Sequence, residues 1–135
     1  MLFQHILFIA AMTASVCSHA ETHHTKVSST TVTNFSNFHS GQEYCADQVS
    51  KDPKIQSCMP IYNENNNAFL NIESKVIGSP QPVAPGTVFT VNDHHETDSI
   101  NFVVTNAVAN KVIFSGPVYD MLGIICDYNS CKPWK

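Results

Sequence analysis

Ser99-Ile100-Asn101-Phe102-Val103-Val104-Thr105 sets Ile100, Phe102 and Val104 on one face of an extended chain and Asn101, Val103 and Thr105 on the other. A period of two is the mark of a half-buried β-strand, because successive side chains of a pleated backbone point to opposite faces. Upstream, Ala68 to Ile77 repeats the pattern, with Leu70, Ile72 and Val76 alternating against Asn71, Glu73 and Lys75. Strands are also expected over Thr87 to Val91 and Lys111 to Ser115, with Gly116-Pro117 breaking the latter. Val118 to Cys126 reads as a final strand buried on both sides. Lys26 to Thr33, rich in Val, Ser and Thr, suits an exposed or edge strand.

One helix interrupts this series. Ser40-Gly41-Gln42-Glu43 has capping-box spacing, the apolar residues Tyr44, Cys45, Ala46 and Val49 follow, and Asp52-Pro53 stops the run. Ser79 to Gly86 reads as an extended connector ending in Pro85-Gly86, a pair suited to the centre of a type II turn. Its Pro82-x-x-Pro85 spacing fits a peptide-binding groove, but a rigid linker explains it more simply. Short strands, regularly spaced turn signals and a single helix predict a mainly β fold: a small antiparallel β-sandwich with one short helix and two disulfides.

The first twenty residues carry an apolar run, Ile6 to Met12, and small residues Ser18 and Ala20 spaced as at a signal-peptidase site, although no Lys or Arg precedes the run. Residues 1–20 therefore read as a signal peptide and residues 21–135 as a single secreted or periplasmic β domain. Cys17 raises a lipoprotein reading, which Val16 disfavours because such sites want a small residue there. No later segment approaches the apolar length a transmembrane helix needs, about 20 residues, so no transmembrane segment is expected. All seven basic residues are Lys, against eleven acids, for a net charge of −4. A mildly acidic domain without Arg is a poor partner for nucleic acid, since it lacks both the field and the bidentate fork that phosphates favour.

Cys45, Cys58, Cys126 and Cys131 remain after processing. An even count in a small exported domain predicts two disulfides, and the favoured pairing of three is Cys45–Cys58 with Cys126–Cys131, each closing a polar, turn-rich stretch. In the chain-entropy view these loops contribute about 3 and about 2 kcal/mol. A four-thiolate zinc site is disfavoured, because structural zinc wants close ligand pairs and the first pair is too wide. No cysteine is left over to serve as a catalytic thiol.

Three places offer chemistry. A mature chain beginning Glu21-Thr22-His23 can wrap Cu(II) or Ni(II) with its α-amine, two amides and the His23 imidazole, and His24 can add an axial or bridging ligand. The loop Asn92-Asp93-His94-His95-Glu96-Thr97-Asp98 offers Asp93, His94, His95, Glu96 and Asp98 to Zn(II) or, through oxygens alone, to a hard cation. A solvated polar hairpin, or one whose imidazoles respond to pH, explains the same residues. Phe35 and Phe38 suit an exposed aromatic platform or a plug closing the sandwich, and Trp134, between Lys132 and Lys135, suits a membrane interface or a tail folded back on the domain. Asn34-Phe35-Ser36 is a glycosylation sequon in a eukaryotic secretory route.

No nucleophile elbow, phosphate loop or C-x-x-C appears. The expected function is binding rather than catalysis: an exported module that recognises a protein, glycan or lipid surface through loops at one end of the sandwich. The alternatives are a metal-handling protein taking Cu(II), Ni(II) or Zn(II), and a small secreted hydrolase.

Overall fold

Ile100, Phe102 and Val104 all point into one buried layer, as their alternation requires. The computed structural model of the protein describes residues 26–31 and 38–135. Along them run β1 (Lys26–Thr31), α1 (Gly41–Lys51), β2 (Ser57–Asn63), β3 (Leu70–Glu73), β4 (Gln81–Val83), β5 (Thr87–Asp93), β6 (Ser99–Asn106), β7 (Lys111–Tyr119), β8 (Ile124–Cys126) and β9 (Cys131–Pro133). The strands form two sheets, a five-stranded one in the order β1-β5-β2-β8-β9 and a four-stranded one in the order β4-β3-β6-β7. Every described pairing is antiparallel except β2 with β8, which is parallel.

The sheets pack face to face over Met59, Ile61, Phe89, Val91 and Ile124 from the larger one and Leu70, Ile72, Val83, Phe102, Val104 and Val118 from the smaller. Each such side chain taken fully out of water contributes about 1.5–3 kcal/mol. A second apolar cluster lies on the far face of the larger sheet, where Tyr44, Cys45, Ile55 and Trp134 cover Cys58, Tyr62 and Val88. The molecule is thus a sandwich with a helix laid on one outer face. Strands β2 and β5 lie between both clusters, and all seven residues of each are buried.

Ser40 caps the helix as the spacing requires, but the return bond from Glu43 goes one residue further back, to His39 rather than to the Ser40 amide. Ser40 Oγ accepts from the Glu43 amide at 3.1 Å, and the Glu43 carboxylate accepts from the His39 amide. The helix ends at Asp52, whose amide still reaches the Gln48 carbonyl. Gly41 sits so close to the Leu122 carbonyl that a Cβ there would overlap it. Both expected disulfides are present: Cys45–Cys58 staples α1 to β2, and Cys126–Cys131 closes the β8–β9 hairpin. The type II turn also forms, with Gly86 at φ +72° and the Thr87 amide 3.3 Å from the Ala84 carbonyl.

Three expectations need correction. Gly116-Pro117 does not end β7; Pro117 pairs with Asn101 inside it, which the sheet tolerates because β7 is an edge strand and a missing N–H there breaks no ladder on both sides. Val118 to Cys126 is not one strand: the chain leaves β7 at Tyr119, turns through Met121 and Gly123, both at positive φ, and re-enters the other sheet as β8. Gly123 is required there, since a Cβ would run into Pro60. Last, Ser79 to Gly86 contains a short strand, β4, paired with β3.

Candidate functional site

The strand registers divide the connections between two ends of the sandwich. Asn63, Cys126, Leu70, Val83, Asn106 and Lys111 mark one end, so the β2–β3, β4–β5, β6–β7 and β8–β9 connections gather there. Ser57, Asp93, Glu73, Ser99 and Tyr119 mark the other.

At the first end two fully buried asparagines convert their side chains into loop anchors. Asn63 Nδ2 donates to the carbonyls of Ala68 (2.8 Å) and Val83 (3.0 Å), and its Oδ1 accepts from the Asn65 amide at 3.0 Å. Asn106 Nδ2 donates to the Tyr128 carbonyl at 2.9 Å, and its Oδ1 accepts from the amides of Val108 (2.9 Å) and Ala109 (3.0 Å). The Ala107 amide reaches the Phe69 carbonyl at 3.0 Å. Three loops are therefore tied to one another through backbone groups that would otherwise face water or go unpaired. Asp127 completes the set, its Oδ1 accepting from the amides of Asn129 (2.8 Å) and Ser130 (2.9 Å). Those two N–H groups hold the Asp127 carboxyl below its usual range, as hydrogen bonds to a carboxylate do.

Among the groups these anchors leave outside are three large apolar side chains. Phe69 is 48% exposed, Val108 64% and Tyr128 42%, each on a segment bonded directly to one of the others or to Asn106. Around them stand the exposed amides of Asn66, Asn67, Asn110 and Asn129. Asn110 takes φ +52°, a conformation asparagine accepts more readily than most residues.

The other end is built differently. The Ser57 hydroxyl, fully buried, accepts from the Thr97 amide at 2.7 Å and lies 2.9 Å from the Thr97 carbonyl and 3.1 Å from that of His95. Asp93 lies at the end of β5, and its Oδ1 accepts from the His95 amide at 2.9 Å. His94 Nε2 is 3.8 Å from Asp52 Oδ2, while His95, Glu96 and Asp98 are exposed. Lys54, Gln56, His94 and His95 line an open hollow. Among the described residues no group of three or more His, Cys, Asp or Glu side chains is arranged to hold a metal ion. His23, His24 and Phe35 lie outside the described residues, as do Asn34 and the first twenty positions.

The two remaining aromatic candidates pack inward. Phe38 meets Tyr44 edge to face at 5.2 Å between ring centroids, at the border of the helix-side cluster. Trp134 is 3% exposed, 5.0 Å from Tyr62 and 5.9 Å from Tyr44, so the tail folds back on the domain. Its amide donates to Gly123 and its carbonyl accepts from Gly41, tying the C-terminus to both the β7–β8 turn and the helix start. Burial pushes the Tyr62 phenol above its ordinary pKa, and the nearby Glu64 carboxylate adds to the shift.

Phe69, Val108 and Tyr128 were not singled out by the sequence pattern, though signals mark two of them. Phe69 shares parity with Asn71 and Glu73, so it falls on the polar face of its strand. Tyr128 is the lone aromatic within the polar stretch Asp127-Tyr128-Asn129-Ser130 between two cysteines.

The chain matches no protein-family model, no curated protein and no solved structure. No described helix is long and apolar enough to cross a membrane.

Proposed function

We propose that this protein is an exported binding module that engages the surface of a partner protein through the loop end carrying Phe69, Val108 and Tyr128. One observation carries the reading: exposed apolar side chains stand on loops whose backbones are pinned by buried asparagines. A surface ordered before binding loses little conformational entropy on association, and a few rigid aromatic residues then supply most of the affinity. Tyr128 and Phe69 among exposed asparagines give the mixture of stiff aromatic area and adaptable amide hydrogen bonding that protein-recognising loops favour. An anionic lipid surface is a weaker match, because Asp127 is exposed beside Tyr128 and offsets the few exposed cations nearby, Lys111 and Lys132.

Export is supported by the two disulfides, which persist in oxidising compartments, and by the leading apolar run. Intact mass of the secreted protein is expected to correspond to a chain starting at Glu21 with no alkylatable thiol; four reactive thiols would remove this part of the reading.

The binding role is tested by placing a photo-crosslinking amino acid at position 128 or, as control, at position 95, and exposing the protein to the surface of cells from its own environment. An adduct of discrete mass is expected from position 128, competed by unlabelled wild-type protein but not by Phe69→Ala/Tyr128→Ala. Equal labelling from both positions, or competition by the double variant, would refute it.

A further inference from the structure

We propose that the outer face of the smaller sheet carries a second site, a cleft that takes a neutral sugar. Glu73, Val103 and Ser115 form one row across β3, β6 and β7, with side chains on the face turned away from the core. Asn101 lies one row further along β6 on the same face. The β3–β4 turn rises beside this row and walls it with Ser74, Lys75, Ser79 and Pro80, enclosing about 490 Å³. That volume is within the range of small-molecule sites, about 300–1,000 Å³.

The wall is fixed rather than loose. Ile77 at its centre packs against the core, the Ile77 amide reaches the Ser74 carbonyl at 3.3 Å, and the Ser79 amide reaches the Ile77 carbonyl at 2.9 Å across Gly78 at φ +77°. The side chains of Glu73, Lys75, Ser79, Asn101 and Ser115 line the cleft and make no hydrogen bond or ion pair among the described residues, so none of their polar capacity is used within the described protein. This contrasts with Asn63 and Asn106, whose amides are spent on the protein.

The chemistry of the lining selects the ligand class. One carboxylate and one ammonium cancel, so a ligand of either net charge would leave a charge uncompensated. Hydroxyls and an amide both donate and accept, which suits a molecule whose own groups do the same. The floor at Val103 and the ring of Pro80 offer apolar area to the C–H face of a pyranose, and the Glu73 carboxylate can accept from two neighbouring hydroxyls. This site stands apart from the loop end and does not depend on the reading given to it.

The test is a titration of ¹⁵N-labelled protein with maltose, lactose, chitobiose and mannobiose, and separately with glycine as a zwitterion. Saturable amide shifts centred on Gly78, Asn101, Val103, Ser115 and Gly116 are expected with at least one sugar. Asn101→Ala and Glu73→Ala, both on the solvent side of their strands, are each expected to weaken that sugar about tenfold, whereas His95→Ala leaves it unchanged. No shift with any sugar, a response to glycine alone, shifts centred on Tyr128, or indifference to both cleft variants would each overturn the proposal. The wild-type shift map decides the matter even if a variant fails to fold.

Discussion

The two ends of the sandwich use polar anchoring to opposite effect. At the end marked by Asn63 and Asn106, fully buried amides hold the loops from inside and leave Phe69, Val108 and Tyr128 in water. At the other, the Ser57 hydroxyl holds the β5–β6 connection, which crosses from the larger sheet to the smaller, and the groups left outside on that connection are His95, Glu96 and Asp98. Both ends are ordered by buried side chains, so order alone does not mark a site. The informative difference is in what the anchored loops themselves expose: solvating groups on the β5–β6 connection held by Ser57, apolar side chains on the loops held by Asn63 and Asn106. Val76 and Tyr119, also exposed at the Ser57 end, stand outside the connection that Ser57 holds.

Asn106→Ala removes three hydrogen bonds and leaves their backbone partners unpaired, so urea unfolding with disulfides intact is expected to show a loss of about 3 kcal/mol. Ser57→Ala is expected to cost about 1–2 kcal/mol, because the hydroxyl has a single hydrogen and serves only one of its two carbonyl neighbours at a time. Equal losses at both ends would mean that the asparagine network is not the stronger anchor. Replacing Cys126 and Cys131 together with Ser is expected to cost about 2 kcal/mol, and to abolish the position-128 adduct while leaving the cleft titration intact. Tyr128→Ala and Phe69→Ala are expected to change stability by less than about 0.5 kcal/mol, since neither ring is part of the core. A core-sized loss from either would show that these rings serve packing.

The smallest expected effect is on pH. Asp127 has a folded-state pKa below its ordinary value of 3.8. A depressed carboxyl stabilises the fold above its unfolded pKa, and this contribution is lost as pH falls through the folded value. The Asn129 and Ser130 amide resonances are therefore expected to hold constant from neutral pH down to about 4 and to move only below it. Movement well above pH 4 would contradict the assignment to Asp127.

Much of the architecture was legible because it rests on local periodicity. The alternation over Ser99 to Thr105, the Ser40 N-cap, the Pro85-Gly86 turn and both disulfide pairings appear as expected. Strand β2 was not legible. Buried on both faces it has no alternation to show, and Pro60 at its middle argues against a central strand; the sheet accepts Pro60 because pairing with β8 begins only at Ile61. The split of β7 from β8 was hidden for a related reason, since apolar residues continue through a turn that crosses between sheets. The site was less legible still. Asn63 and Asn106 look like ordinary loop-flanking polar residues, and only the register between distant strands shows which carbonyls and amides their side chains reach.

Native-state hydrogen exchange tests most directly the claim that the loop end is held in place before it binds. The amides of Ala107, Val108, Ala109, Asn129 and Ser130 are expected to exchange at least about 100-fold more slowly than in a free peptide, and Asn106→Ala is expected to release Val108 and Ala109 first. Exchange at free-peptide rates in the wild-type protein would contradict the account.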